Sequence, residues 1–232
     1  MSHYLFTSES VSNGHPDKIA DQISDAILDA CLQGDPQAKV ACETLVAPGL
    51  VVITGEITAD VQVDYQAIAR QVIREIGYTD PALGFDYRSC GILISINQQS
   101  PDIAQGVNEN QSIYKEQGAG DQGIMFGYAC DETPQLMPMP IMLAHQILHA
   151  LQLKREQGLL PYLRPDAKSQ VTIEYNQDHQ PVRLHTVVIS TQHKDNVSQE
   201  VIHRDMKKLV ASLVPDHFID CLLYTSPSPR DS

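Results

Sequence analysis

The sequence predicts an α+β protein made of two similar hairpin-plus-helix domains. Three observations carry this prediction. Two pairs of runs rich in β-branched residues, Lys39–Ala47 with Leu50–Thr58 and Gln170–Tyr175 with Pro181–Thr191, read as hairpins. A segment with helical spacing of apolar residues follows each pair. The pairs also echo one another. Val40-Ala-Cys-Glu43 and Val51-Val-Ile-Thr54 return as Val171-Thr-Ile-Glu174 and Val187-Val-Ile-Ser190, as a duplicated unit would.

Taken in order, the first helix starts at Pro16, a residue suited to the first helical position, with Asp17 meeting the positive helix end. Ile19, Ile23, Ala26, Ile27 and Ala30 continue its apolar stripe, and Gly34-Asp35-Pro36 stops it. Pro48-Gly49 suits the centre of a type II turn between the first two strands. Tyr65–Ile76 is a second helix, striped by Ile68, Val72, Ile73 and Ile76, and Gly91–Asn97 a short strand. The polar stretch Gln98–Gly120 shows no period and reads as a loop or linker. Beyond it, Gly123–Ala129 reads as a strand, and Pro140–Gln157 and Ser198–Leu213 as helices. The expected division is a first α+β domain over 1–101, a linker over 102–117 and a second α+β domain over 118–220. Residues 221–232, with two Ser-Pro pairs and no period, are expected to be a disordered or non-native tail without a strand partner.

Sixteen basic residues against 29 acidic ones give a net charge of −13. That excludes gripping a nucleic-acid backbone or an anionic membrane through bulk charge. A hydrophobic fraction of 42% with 19% charged residues supplies a packed core. No apolar run reaches the roughly 20 residues of a membrane span. The five cysteines are scattered and form no C-x-x-C pair, which argues against a zinc site or a disulfide framework. With no export signal at the start, the expected location is the cytoplasm.

Several motifs invite chemistry. Gly118-Ala-Gly-Asp-Gln-Gly123 satisfies G-x-G-x-x-G, but it follows a polar loop and precedes a strand-like run instead of opening a helix, which argues against dinucleotide binding. His145 and His149 lie four apart without the Glu of a metalloprotease and read as partly buried helix-face residues. Gly14-His15-Pro16-Asp17-Lys18 places an imidazole, an ammonium and a carboxylate at a helix N-terminus, the usual seat of a phosphate. Asp17 opposes an anion unless it holds a Mg²⁺ bridging to phosphate oxygens. A plain capped helix is the alternative. With Ala47 facing Leu50, Glu43 opposes Thr54 and Glu56 becomes its diagonal neighbour, about 7–8 Å away at the backbone. Ala41 and Leu45 share that face, so it is expected to be half buried, where two carboxylates are costly unless cations meet them; a solvated edge with two unrelated glutamates is the alternative. Arg164-Pro165-Asp166-Ala167-Lys168-Ser169-Gln170 reads as a charged turn entering a strand. It is either a solvated loop or a nucleotide contact through Asp166 and Lys168.

Seven segments in this order resemble S-adenosylmethionine synthetase (methionine adenosyltransferase). They are Phe6–Ser12, Gly14–Asp25, Ala41–Thr44, Gly55-Glu56, Gln99–Ile103, Gly118–Ala129 and Leu163–Val171. The resemblance runs from Leu5 to about Asp220. It implies three related α+β domains about a pseudo-threefold axis, of which the third is missing here. It implies an enzyme that joins ATP and L-methionine and cleaves the released tripolyphosphate to pyrophosphate and phosphate. Mg²⁺ and K⁺ would be required, in a homodimer or dimer of dimers. By the same resemblance His15 and Lys168 are catalytic residues. His15, Asp166, Ala167 and Lys168 contact ATP, and Glu56, Gln99 and Asp121 contact methionine. Asp17 holds Mg²⁺ and Glu43 holds K⁺. Asn13 departs from the usual glutamate. A chain lacking the third domain is expected to have little or no activity. The other reading is a non-catalytic nucleotide-binding or regulatory module.

Overall fold

The computed structural model describes residues 3–98 and 123–219, together with the backbone of 224–226. The chain forms two compact units. One joins residues 1–18 to 128–232, and the other spans 19–127.

In the continuous unit, helix α1 (Pro16–Gly34) buries Ile19, Ile23, Ile27 and Cys31, one residue per turn. Strands β2 (Lys39–Ala47) and β3 (Leu50–Thr58) form the expected hairpin. Gly49 takes φ 72°, as the third residue of a type II turn requires. Helix α2 (Tyr65–Ile76) is capped by the Asp64 carboxylate, which accepts from the Ala67 N–H at 2.9 Å, and ends on Gly77 at φ 113°. It crosses over to β4 (Gly91–Asn97), which pairs in parallel with β3. Val51, Ile53 and Ile57 of β3 share one core with the stripes of both helices. The Arg70 guanidinium ties the return segment to α2 by donating to the Tyr87 carbonyl at 2.6 Å and the Cys90 carbonyl at 3.2 Å.

The other unit is a sheet of order β1-β5-β6-β7. Its strands are β1 (Tyr4–Val11), β5 (Leu163–Tyr175), β6 (Pro181–His193) and β7 (Tyr224–Ser226). Helices α3 (Met139–Glu156) and α4 (Gln199–Leu213) complete it. On α3, Leu143, Ala144, Ile147, Leu148 and Leu151 are buried against Leu163, Ala167, Val171 and Ile173 of β5. Ser198 caps α4.

Four expectations change. β1 was not foreseen, and it pairs antiparallel with β5 over eight residues. The presumed charged turn at 164–170 lies inside β5, where every second residue from Leu163 to Val171 is buried. Proline is tolerated there because the β5–β6 register shifts between Leu163 and Ala167, sparing Pro165 a ladder hydrogen bond. The strand expected over 123–129 has no regular structure. Its apolar side chains face solvent, with Met125 92% and Phe126 90% exposed, so no partner sheet organises them among the described residues. Within the presumed tail, Tyr224–Ser226 adds in parallel to β6, using β-formers on an otherwise open strand edge.

The echo between hairpins holds at the level of strand, strand and helix but not residue by residue. Thr54 lies opposite Glu43, whereas its counterpart Ser190 lies opposite Lys168. The second hairpin is longer, which moves the pairing.

The far end of the sheet is closed by Glu174, which binds His3 at 2.6 Å and also pairs with Arg183. The Tyr4 ring stacks on Tyr175 at 5.4 Å beside it. Bonding to His3, reinforced by Arg183, holds the Glu174 carboxyl below its ordinary range. A lowered folded pKa stabilises the fold fully above the unfolded value of about 4.3. That stabilisation is lost as pH falls through the folded value. Melting temperatures taken between pH 6 and pH 3 should therefore fall more steeply for the native chain than for Glu174→Gln.

Candidate functional site

The segment after β1 is fastened to β5 by Ser12. Its hydroxyl donates to the Pro165 carbonyl and accepts from the Ala167 N–H, both at 2.8 Å, while its own N–H donates to the Ala167 carbonyl at 2.9 Å. The His15 N–H closes the turn on the Ser12 carbonyl at 3.1 Å. Gly14 lies so close to β5 that an added Cβ would sit 2.4 Å from Pro165 backbone atoms. The glycine answers a need for space, and α1 can start directly after it. Two segments some 150 residues apart are thereby brought together, carrying His15 and Asp17 on one and Asp166, Ala167 and Lys168 on the other.

The His15 side chain is 14% exposed and Asp17 86%. The His15 Nδ1 accepts from the Asp17 N–H at 3.2 Å, and the Asp17 carboxylate oxygen at 3.7 Å is too distant to compete for it. In the neutral ring Nε2 then carries the proton, so the imidazole offers a donor there. Asp166 and Lys168 alternate with buried Pro165, Ala167 and Ser169 and so share the other face of β5. On that face Lys168 Nζ meets Glu9 Oε2 at 3.7 Å. The two are diagonal neighbours, since Glu9 pairs with Gln170 and Val11 with Lys168. Glu9 was missed by sequence reasoning, because only the β1–β5 register reveals it.

Glu43 and Glu56 belong to the continuous unit. The β2–β3 register is the expected one, with Ala47 opposite Leu50 and Glu43 opposite Thr54. The expected half-buried face is instead solvent-facing, with Ala41 and Glu43 exposed and Leu45 58% exposed. The helices cover only the opposite face, where Val51 and Ile53 are fully buried. Glu43 is thus hydrated within this unit and needs no cation to offset desolvation, while Glu56 is half-buried.

No group of three or more His, Cys, Asp and Glu side chains converges as a metal cage among the described residues. Asp17 offers one exposed carboxylate at a helix N-terminus. That suits Mg²⁺, which takes one or two protein carboxylates and leaves its other positions to water and phosphate. Glu43 likewise brings a single carboxylate. Gln99, Asp121, most of the Gly118–Gly123 motif and the 102–117 linker lie outside the described residues. His149 is exposed, contrary to expectation, whereas the His145 ring, though largely exposed, reaches the sheet with Nδ1 2.7 Å from the Ser10 hydroxyl. No helix is long and apolar enough to cross a membrane among the described residues.

The fold is thus a pair of α+β units, one of which carries His15 and Asp17 at the start of α1 and Asp166 and Lys168 on one face of β5. Residues 3–101 match the family model for the S-adenosylmethionine synthetase N-terminal domain, and residues 116–227 that for its central domain. The chain is 53% identical over 221 residues to the S-adenosylmethionine synthase of Syntrophobacter fumaroxidans, covering 95% of this chain and 57% of the relative. It is 55% identical over 232 residues to that of Salinibacter ruber, covering 98% and 59%. For the protein of that name from Sorangium cellulosum the identity is 52%, covering 99% and 55%. The chain belongs to the S-adenosylmethionine synthetase family, and it spans 55–59% of the length of these three curated relatives.

Proposed function

We propose that this chain serves methionine adenosyltransfer, the formation of S-adenosylmethionine from ATP and L-methionine. The observation that supports this reading is the Ser12 fastening, which ties the segment leading to His15 and Asp17 to the stretch of β5 that holds Asp166, Ala167 and Lys168. Here the Nε2–H of His15 and the ammonium of Lys168 bind polyphosphate oxygens, and Asp166 and Ala167 hold the nucleoside. Asp17 is the protein ligand for Mg²⁺, which supplies charge neutralisation on the phosphates. Glu43 takes K⁺. Glu56 binds the methionine ammonium, and Gln99 and Asp121 complete the methionine side.

The reaction suits this inventory. The methionine sulfur forms a bond to C5′ of ATP as the C5′–O bond breaks. A thioether has no proton to lose, so no general base is needed. Positive charge grows on sulfur and negative charge on the departing tripolyphosphate, which is then hydrolysed to pyrophosphate and phosphate. Fixed carboxylates stabilise the first, and His15 and Lys168 the second. The working assembly is a homodimer or dimer of dimers in the cytoplasm.

A calorimetric titration of the 232-residue chain with MgATP tests the nucleotide reading. Binding is expected, and His15→Ala and Lys168→Met should each weaken it roughly 10–100-fold, as loss of a charge-assisted hydrogen bond does. Unchanged affinity in both variants would remove these residues from the site. With only 55–59% of the relatives' length, the 232-residue polypeptide alone should form little or no S-adenosylmethionine. Sustained methionine-dependent product from the purified chain would refute this.

A further inference from the structure

We propose that Ser10, Ser169 and His145 form a positioning device for Lys168, acting from the opposite face of the sheet. This rests on the reading above that Lys168 contacts the nucleotide. Ser10 and Ser169 are direct partners across β1 and β5, and both are buried, at 7% and 1% exposure. Each bonds to α3. The Ser10 hydroxyl meets His145 Nδ1 at 2.7 Å, and the Ser169 hydroxyl donates to the Ala144 carbonyl at 2.8 Å. Two adjacent strands are therefore pinned to two consecutive residues of one helix.

Strand geometry gives that pin its consequence. Successive side chains point to opposite faces, so Ser10 fixes the orientation of its neighbour Glu9, and Ser169 that of Lys168. Glu9 and Lys168 meet on the far face at 3.7 Å. A serine pair held from below thus sets the azimuth of a lysine–glutamate pair above. A Val–Val pair at 10 and 169 would bury as well but could not lock rotation against α3. His145 itself is exposed, and neither the core nor the site calls for an imidazole at that point of α3. Partial desolvation where the ring meets the sheet, then the neighbouring Lys18 ammonium, holds its pKa below the ordinary range, which favours the neutral ring that can accept from Ser10.

The test uses the 232-residue chain without nucleotide. The acetylation rate of Lys168 under limiting acetic anhydride is read by peptide mass spectrometry against Lys207 and Lys208, both exposed on α4. Ser10→Ala and His145→Ala should each raise the Lys168 rate relative to those references roughly two- to fivefold, the span expected when an exposed ion pair loosens. Ser10→Thr, which keeps the hydroxyl, and His149→Ala, one turn along α3, should match the native chain. A uniform rise at all three lysines would mean general destabilisation and overturn the proposal. So would an unchanged ratio in both Ser10→Ala and His145→Ala. A MgATP titration of the same proteins separates the two readings. If the native chain fails to bind while the Lys168 ratio responds, the nucleotide reading falls and the positioning role stands.

Discussion

Gly14→Ala should loosen MgATP roughly 100-fold and lower stability by about 1–3 kcal/mol, the usual cost of forcing an atom into a filled space. The new methyl would start 2.4 Å from the Pro165 carbonyl carbon, its oxygen and its Cβ. Two of those three atoms are backbone, and Pro165 is fixed by the Ser12 hydroxyl bonded to its carbonyl. The Gly14–His15 turn must therefore retreat by about 1 Å, a displacement that can cost roughly two orders of magnitude where charged groups must meet a ligand. Thermal melting and calorimetric titration of one preparation read both effects. Native-like affinity would show that the turn and β5 do not act as one site.

The second large effect is expected at Gly55→Ala, where stability should drop by about 4 kcal/mol or more. At φ 136° the residue occupies a region that side chains rarely enter, and an added Cβ would stand 2.0 Å from the Ala41 carbonyl oxygen. The obstacle is the backbone of the neighbouring strand, which cannot rotate aside. Relief requires β2 and β3 to part around the Cys42–Gly55 pair, next to Glu56. Urea denaturation should show the transition shifted far to lower concentration, or no folded baseline. A loss under about 1 kcal/mol would contradict this backbone conformation.

What could be read from the sequence depended on how local the cause was. The β2–β3 register was legible because Pro48-Gly49 fixes a two-residue turn, and from there every pair follows. Helix α1 was legible because Pro16 and the isoleucine stripe are contiguous. Strand β1 was not. Tyr4–Val11 alternates poorly, its first four residues are exposed, and its partner begins beyond residue 160. Glu9 was lost with it. The burial of the Glu43 face was misjudged because both faces of β2 carry apolar residues, Ala41 and Leu45 on one and Val40, Cys42 and Val46 on the other. Only the position of α1 and α2 decides between them. The same limit applies to Gly123–Ala129, where apolar composition alone suggested a strand. Charge composition misled at 164–170, since an alternating strand can carry ions on one side and a core on the other.

The pairing of β1 with β5 has a consequence for biosynthesis. Val11 meets Lys168, so its partner leaves the ribosome roughly 8–30 s later at 5–20 residues per second. Within that interval the stretch 19–127 is completed and becomes free to collapse on its own contacts. The first strand must wait with its backbone N–H and C=O groups unpaired and no sheet to join. Nascent chains paused between these two points are where aggregation or chaperone capture should concentrate, and a slower codon run there would lengthen the exposure.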